Sequence, residues 1–129
     1  GVFVLAATSN PEARAIQAVP VGEESTIAQG VVDECAALNV AAHKADKPGD
    51  IGVVVGATLD NPPRLDALNG PVLLPGVGAQ GAGPEQVHSI VSARPSLGFA
   101  NVSRAVLEQG PALADLRKAV NRVAQEFRD

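Results

Sequence analysis

Four apolar segments of this sequence lack the alternation of apolar and polar residues that marks a strand with one face in water. They span residues 2–7, 51–56, 72–74 and 97–102, and each ends in small or polar residues. Uninterrupted apolar runs of this kind are typical of strands covered on both faces, as in a parallel sheet flanked by helices. The chain has no Trp, Tyr or Met and only three Phe. Its core must therefore be built from Val, Leu, Ile and Ala, which suits such a sheet.

Helical patterns occupy the intervals between these segments. Residues 26–44 carry apolar side chains at steps of three and four, which predicts an amphipathic helix. The apolar positions there are Ile27, Val31, Cys35, Leu38 and Ala42. We also expect a short helix over 63–68, one from Pro84 to about Val91, and a last one over 113–127. The order is four consecutive βα units, and right-handed crossovers would place the strands side by side in parallel.

Length and charge restrict the classes of protein that this chain can be. At 129 residues it has the size of one domain. Its formal net charge of −4 argues against a nucleic-acid partner, because binding a polyanion needs a concentrated basic face. No apolar run approaches the ~18 residues that cross a bilayer, so no membrane partner is expected.

The ends and the cysteine content bear on where the protein works. Cys35 is the only cysteine, so no internal disulfide can form, and we expect a cytoplasmic protein. The sequence opens inside an apolar strand. We therefore expect it to be cut from a longer chain.

Polar and glycine-rich segments follow the predicted strands. Residues 71–83 run from a short apolar strand into a loop in which glycine takes four of the eight positions from Gly76. Such a loop lets backbone N–H groups approach an anion. Asn101-Val-Ser-Arg104 follows the last strand and supplies a cation where a helix should begin. We interpret the two segments as a phosphate clamp.

The position of these residues favours one architecture. Ser9, Thr58, Gln80 and Arg104 all come just after the carboxyl ends of strands, which is the edge where parallel α/β folds bind ligands. Four βα units form either a small open sheet or half of an eight-fold barrel. Phosphate binding by the last two βα loops recurs in barrels. The predicted fold is therefore α/β, half of a (β/α)8 TIM barrel.

Four stretches, in order and spacing, resemble the C-terminal half of orotidine 5'-phosphate decarboxylase, most closely its actinobacterial-type branch. They are Val4-Leu-Ala-Ala-Thr-Ser-Asn-Pro-Glu12, Gly52-Val-Val-Val-Gly-Ala-Thr58, Leu74-Pro-Gly-Val-Gly-Ala-Gln-Gly81 and Val102-Ser-Arg-Ala-Val-Leu107. The resemblance covers essentially all 129 residues. It implies that residues 1–129 are the C-terminal half-barrel of a single-domain enzyme whose N-terminal half is absent here.

The resemblance also implies an activity and a set of site residues. The family converts orotidine 5'-phosphate to UMP in pyrimidine biosynthesis, without metal or organic cofactor, as a homodimer. The phosphate ligands expected from it are Gln80 and Arg104, with Gly81 and Ser103 as backbone amide donors. Ser9 matches the serine that hydrogen-bonds the pyrimidine. Pro75 and Val77 match residues that line the pocket near the departing carboxylate.

The family's catalytic Lys-Asp-Lys-Asp constellation lies on earlier strands, one Asp coming from the partner subunit, so we expect no catalytic residue in this chain and no turnover by it alone. Asp46, Lys47 and Asp50 do not replace that constellation, because they precede a strand and fall at the opposite edge. We expect an exposed turn there.

Two other functions stay open at this point. Gly76-x-Gly78-x-x-Gly81 satisfies the dinucleotide fingerprint, but Pro84 delays the helix that should open at the third glycine. The chain could also be a non-catalytic anion-binding module that binds UMP unaided. His43 and His88 have no second ligand at metal spacing, so no metal site is expected.

Overall fold

The computed structural model describes residues 1–42 and 47–128 of the chain. Its strands are β1 (Val2–Ala7), β2 (Pro20–Val21), β3 (Ser25–Thr26), β4 (Ile51–Val55), β5 (Val72–Pro75) and β6 (Gly98–Asn101). Its α-helices are α1 (Arg14–Gln17), α2 (Ile27–Ala42), α3 (Pro84–Ile90), α4 (Arg104–Leu107) and α5 (Leu113–Glu126), and two 3₁₀ turns cover Pro11–Ala13 and Pro95–Leu97. His43, Lys44 and Asp46, which entered the sequence predictions, lie outside the described residues.

The four long strands form one parallel sheet in the order β1-β4-β5-β6, which is their order along the chain. Leu5 pairs with Val54, Val54 with Leu73, and Leu73 with Phe99. Strands that join their neighbours in sequence order, with returning segments on one side, are the arrangement of a (β/α)8 barrel wall. The predicted parallel half-barrel is therefore confirmed.

The two faces of this sheet differ. One face packs against the helices, and its side chains form the core, with Val53, Val55 and Leu74 fully buried. The other face carries the row that begins at Leu5 and ends at Phe99, and these two side chains are 60% and 51% exposed. Within the described residues, no helix covers this second face. It corresponds to the interior of a barrel of which these strands are one part.

One predicted helix is wrong. Residues 63–68 form turns rather than a helix, so β4 and β5 are joined by a loop. Pro62 and Pro63 do not exclude a helix by themselves, because the first N–H groups of a helix have no partner within it. The next peptide pairs with a side chain instead: Arg64 N–H donates to Gln29 Oε1 at 2.8 Å, and Gln29 Nε2 donates to Arg64 O at 3.2 Å. Gln29 is 92% buried, so this pairing fixes the loop against α2.

Elements between β1 and α2 were not predicted. A 3₁₀ turn and α1 follow β1, and a two-stranded antiparallel hairpin, β2 with β3, leads into α2. Each of these elements is four residues or shorter. An element of that length shows no hydrophobic period, so a sequence pattern has nothing to detect.

The amino edge of the sheet is fastened by Asn39 of α2, whose side chain is 1% exposed. Asn39 Nδ2 donates to Ile51 O at 2.8 Å and to Leu68 O at 2.9 Å, and Ile51 N–H donates to Asn39 Oδ1 at 3.1 Å. Lys47 and Asp50 lie exposed at this same edge, away from the strand ends that carry the candidate site. The expected turn there is confirmed for these two residues.

No helix in the described part of the chain is long and apolar enough to span a bilayer.

Candidate functional site

The carboxyl edge of the sheet, where the four parallel strands end, is formed by four loops. Ser9 follows β1, Thr58 follows β4, Gln80 follows β5, and Ser103 with Arg104 follows β6. Ser9, Gln80 and Arg104 are all exposed to solvent. The structure therefore places the polar residues predicted to bind the ligand on one edge.

A hydrogen bond joins the first of these loops to the third. Ser9 Oγ donates to Gln80 Oε1 at 3.3 Å, across 71 residues of sequence. A serine this close to Pro11 could instead cap the helical turn that follows, with its hydroxyl bound to the backbone there. The structure shows no side-chain capping bond at the following 3₁₀ turn, whose N-cap position is Asn10. The Ser9 hydroxyl is thus directed to the loop after β5, and the Gln80 Nε2 group retains its two donors.

The loop after β5 is shaped by its glycines. Gly76, Gly78 and Gly81 have φ of 103°, 75° and 93°, a region in which side chains with a Cβ are strained. A short internal network closes the loop: Gly78 N–H donates to Ala82 O at 2.9 Å, and Gly81 N–H donates to Gly78 O at 2.9 Å. The Gly81 amide is consequently already paired within the loop. It reaches a ligand only by exchanging that bond.

Close packing brings the loops after β5 and β6 together. A Cβ added at Gly78 would lie 3.3 Å from the Ala105 Cβ and 3.9 Å from Val102 Cγ1. Arg104 is the first residue of α4, as the sequence predicted for a cation opening a helix. Ser103 Oγ donates to Asn101 Oδ1 at 3.3 Å. Within the described residues Arg104 makes no ion pair, so it is not paired with Glu108 four residues further along the chain.

The two residues matched to the pocket lining differ in exposure. Pro75 is the last residue of β5 and is half-buried, whereas Val77 is 6% exposed and belongs to the core. Val77 also forms an isolated parallel bridge with Ala82. Their contact with a ligand remains a prediction.

A second polar network involves the residues on either side of Ser9, and no sequence pattern predicted it. Thr8 N–H donates to Gln17 Oε1 at 2.9 Å, and Gln17 Nε2 donates to Thr8 Oγ1 at 3.2 Å. Thr8 Oγ1 in turn donates to Asn10 Oδ1 at 2.5 Å, and Asn10 Nδ2 donates to Glu12 Oε2 at 3.2 Å. The loop that carries Ser9 is therefore cross-linked through side chains.

Charge at this loop is set by Glu12. A hydrogen bond from its own backbone N–H, helped by the Asn10 side chain, lowers the pKa of the Glu12 carboxyl. The carboxylate is fully solvent-exposed, so water screens its effect on neighbouring groups.

No group of three or more metal-ligating side chains occurs in the described residues. His88 is exposed, and its ring lies edge-on to Phe127 with centroids 6.5 Å apart.

Comparison with known proteins finds relatives that match almost the whole chain. No family model matches the chain. Two curated orotidine 5'-phosphate decarboxylases, from Corynebacterium efficiens and Corynebacterium glutamicum strain R, are 53% and 49% identical over 127 residues, 98% of this chain. Almost the whole chain is therefore similar to one part of an orotidine 5'-phosphate decarboxylase.

The structural comparison agrees with the sequence comparison. A crystal structure of a protein assigned as an orotidine 5'-phosphate decarboxylase, from Streptomyces avermitilis, superposes on this chain with a TM-score of 0.84 and 41% identity. It covers 99% of this chain. Both comparisons confirm the resemblance that the sequence motifs indicated.

The chain spans only part of these decarboxylases. It matches 45% of the Corynebacterium efficiens protein and 44% of the Streptomyces avermitilis chain. That coverage fits a half-barrel of four parallel strands.

Proposed function

We propose that this chain contributes the phosphate-binding loops and part of the pyrimidine pocket to an orotidine 5'-phosphate decarboxylase, which converts orotidine 5'-phosphate to UMP in pyrimidine biosynthesis. The observation that carries the proposal is the hydrogen bond between Ser9 and Gln80, which brings a predicted base-binding and a predicted phosphate-binding residue together. The relatives' names supply the reaction.

The chemistry of the edge suits a phosphate dianion. The Ser9 hydroxyl donates to the carbonyl oxygen of the Gln80 side chain, so this bond uses neither of the two Gln80 N–H donors. Arg104 supplies a permanently charged, planar donor group that can bind two phosphate oxygens at once. Glycine at positions 76, 78 and 81 leaves three positions of the loop without a side chain and allows their positive φ. Gly81 and Ser103 are proposed as amide donors beside these two side chains.

The reaction itself needs groups from outside this chain. The resemblance places the lysines and aspartates that act on the carboxylate on other strands of the barrel. We propose that the open face of the sheet, with Leu5 and Phe99 half-exposed or more, meets the rest of that barrel. The chain alone should bind the nucleotide but should not decarboxylate it. We further propose that the complete enzyme is a cytoplasmic homodimer that needs no cofactor.

Calorimetric titration of the 129-residue chain with UMP, ribose 5-phosphate and NAD tests the binding part. We expect UMP and ribose 5-phosphate to bind and NAD to bind more weakly. Arg104→Gln should weaken both phosphate ligands about 10- to 100-fold, the worth of one charge-assisted hydrogen-bond pair. Arg117→Gln, an exposed arginine of α5, is the matched control and should change either affinity less than about twofold.

The same titration separates the other candidates. Binding of NAD without UMP would make the chain a dinucleotide-binding domain. A UMP affinity of the Arg104→Gln variant equal to that of the native chain would contradict the proposed phosphate clamp.

Complementation tests the reaction. The part of the Corynebacterium efficiens relative that this chain does not match is co-expressed with it, and loss of the orotate chromophore is followed. Decarboxylation by the pair but by neither part alone is expected. UMP binding by this chain together with an inactive pair would mean a non-catalytic anion-binding module.

A further inference from the structure

Thr8, the residue after β1, is held by a side chain rather than by the sheet. The pairing of β1 with β4 is regular from Val2 to Leu5 and then shifts before Ala7. The last backbone bond between the two segments is Gly56 N–H to Ala7 O, at 2.9 Å. The next amide, that of Thr8, donates to the Gln17 side chain instead.

Gln17 holds Thr8 through both ends of its primary amide. Its Oε1 accepts from Thr8 N–H at 2.9 Å, and its Nε2 donates to Thr8 Oγ1 at 3.2 Å. Two bonds from one planar group fix both the peptide and the side chain of Thr8. Gln17 is half-buried at the end of α1, where solvent competes less for these bonds than at a fully exposed position.

Ser9 is attached directly to the residue held in this way, and its own backbone lies against Gly56, the residue after β4. A Cβ added at Gly56 would lie 3.2 Å from Ser9 N and 3.4 Å from Ser9 Cβ. The Ser9 hydroxyl reaches Gln80 from this position. A rotation of the Thr8 peptide would carry that hydroxyl away from Gln80, and the partner of the Thr8 peptide N–H is the Gln17 side chain.

We propose that Gln17 is a positioning residue, which orients the Ser9 hydroxyl toward Gln80 and the pyrimidine by holding the Thr8 peptide. This role rests on the proposed function, since Ser9 is there assigned to the base. Gln17 contacts no ligand in the proposal. Its effect should therefore be confined to ligands that carry a base.

The experiment compares Gln17→Leu with Gln17→Glu, Ser9→Ala and the control Gln109→Leu, an exposed position in the loop after α4. In Gln17→Leu, UMP affinity should fall about three- to tenfold, the worth of one misplaced neutral hydrogen bond. Ribose 5-phosphate affinity should change less than about twofold, since that ligand lacks a base. Gln17→Glu keeps the acceptor for Thr8 N–H but loses the donor to Thr8 Oγ1, so its UMP affinity should lie between those of Gln17→Leu and the native chain.

A second measurement needs no ligand. The side-chain amide resonance of Gln80 should move in Gln17→Leu in the direction that Ser9→Ala moves it, and Gln109→Leu should leave it unchanged. If Ser9→Ala moves this resonance and Gln17→Leu does not, Gln17 does not position Ser9. If Gln17→Leu weakens UMP and ribose 5-phosphate equally, Gln17 supports the loop generally and the proposal fails. Failure of the native chain to bind either ligand would contradict the proposed function, while the resonance would still decide the role of Gln17.

Discussion

Replacing Asn39 with leucine should lower the free energy of unfolding by about 3–5 kcal/mol. The Asn39 side chain makes three hydrogen bonds, two to Ile51 and one to Leu68, and is almost fully buried. Each bond contributes roughly 1–1.5 kcal/mol net. Leucine has nearly the same shape, but its methyl groups would face carbonyl oxygens now 2.8 and 2.9 Å from Asn39 Nδ2. Carbon and oxygen normally stay about 3.3 Å or more apart, so strain adds to the loss.

Urea unfolding measures this change. With a slope of about 1.5 kcal/mol per molar urea, the midpoint of Asn39→Leu should fall by roughly 2–3 M. Asn121→Leu makes the same replacement at an exposed position of α5 and should stay within about 0.5 kcal/mol of the native chain. A loss below about 1 kcal/mol in Asn39→Leu would refute the reasoning, because it would show that the three bonds do not hold the amino edge.

Asn39→Asp adds a pH test at the same position. The introduced carboxyl would face the carbonyl oxygens of Ile51 and Leu68 in a buried site, so its pKa should be raised in the folded chain. A raised folded pKa gives stability that is present below the ordinary Asp pKa and lost as the pH rises. The variant should therefore lie closer to the native chain near pH 4 than at pH 7, as checked by urea unfolding at both values. Equal losses at the two pH values would contradict a buried carboxyl there.

Three further predictions concern other positions. Gly52→Ala should destabilise the chain by about 1–3 kcal/mol, as measured by urea unfolding, because the new Cβ would lie 2.5 Å from Pro71 O. Gly30→Ala in α2 meets nothing within 4 Å and should stabilise the chain by about 0.5–1 kcal/mol. A change of the same sign in both variants would contradict this packing. The Glu12 pKa, followed by NMR titration, should rise toward its ordinary value in Asn10→Ala, and a pKa equal to that of the native chain would show that Asn10 does not contribute. Burial, with a smaller contribution from Glu34, raises the pKa of the Cys35 thiol. Iodoacetamide should therefore modify Cys35 at neutral pH far more slowly than it modifies free cysteine. Comparable rates would mean that α2 opens readily.

The long elements of this fold could be predicted from sequence because each carries its own signal. All four parallel strands were found within two residues of their observed ends, and β1 matches at both ends. An apolar run without alternation records burial on two faces, and here the second face, from Leu5 to Phe99, lies open in the described structure. The pattern thus reports the environment for which the strands were selected, which includes the interior of the whole barrel.

Two failures have a common physical cause. The helix expected over 63–68 is replaced by a loop that pairs with Gln29, and the positioning of Thr8 depends on Gln17. In both places the amide of a glutamine substitutes for a backbone partner, 35 and 9 residues away in sequence. A glutamine that replaces a backbone partner produces no periodicity and no characteristic spacing in the sequence. Only the folded chain shows which of its glutamines are used in this way.

The two edges of the sheet are held by different means, and this difference bears on function. At the amino edge, Asn39 is buried and all three of its bonds go to backbone atoms of neighbouring segments. At the carboxyl edge, Ser9 and Gln80 are exposed, and their mutual bond of 3.3 Å is long for a hydroxyl donor. A long, exposed bond costs little to break when a ligand arrives, whereas the buried bonds must persist for the sheet to exist. Substitutions at Ser9 or Gln80 should consequently alter ligand affinity with little effect on stability, and substitutions at Asn39 should do the reverse.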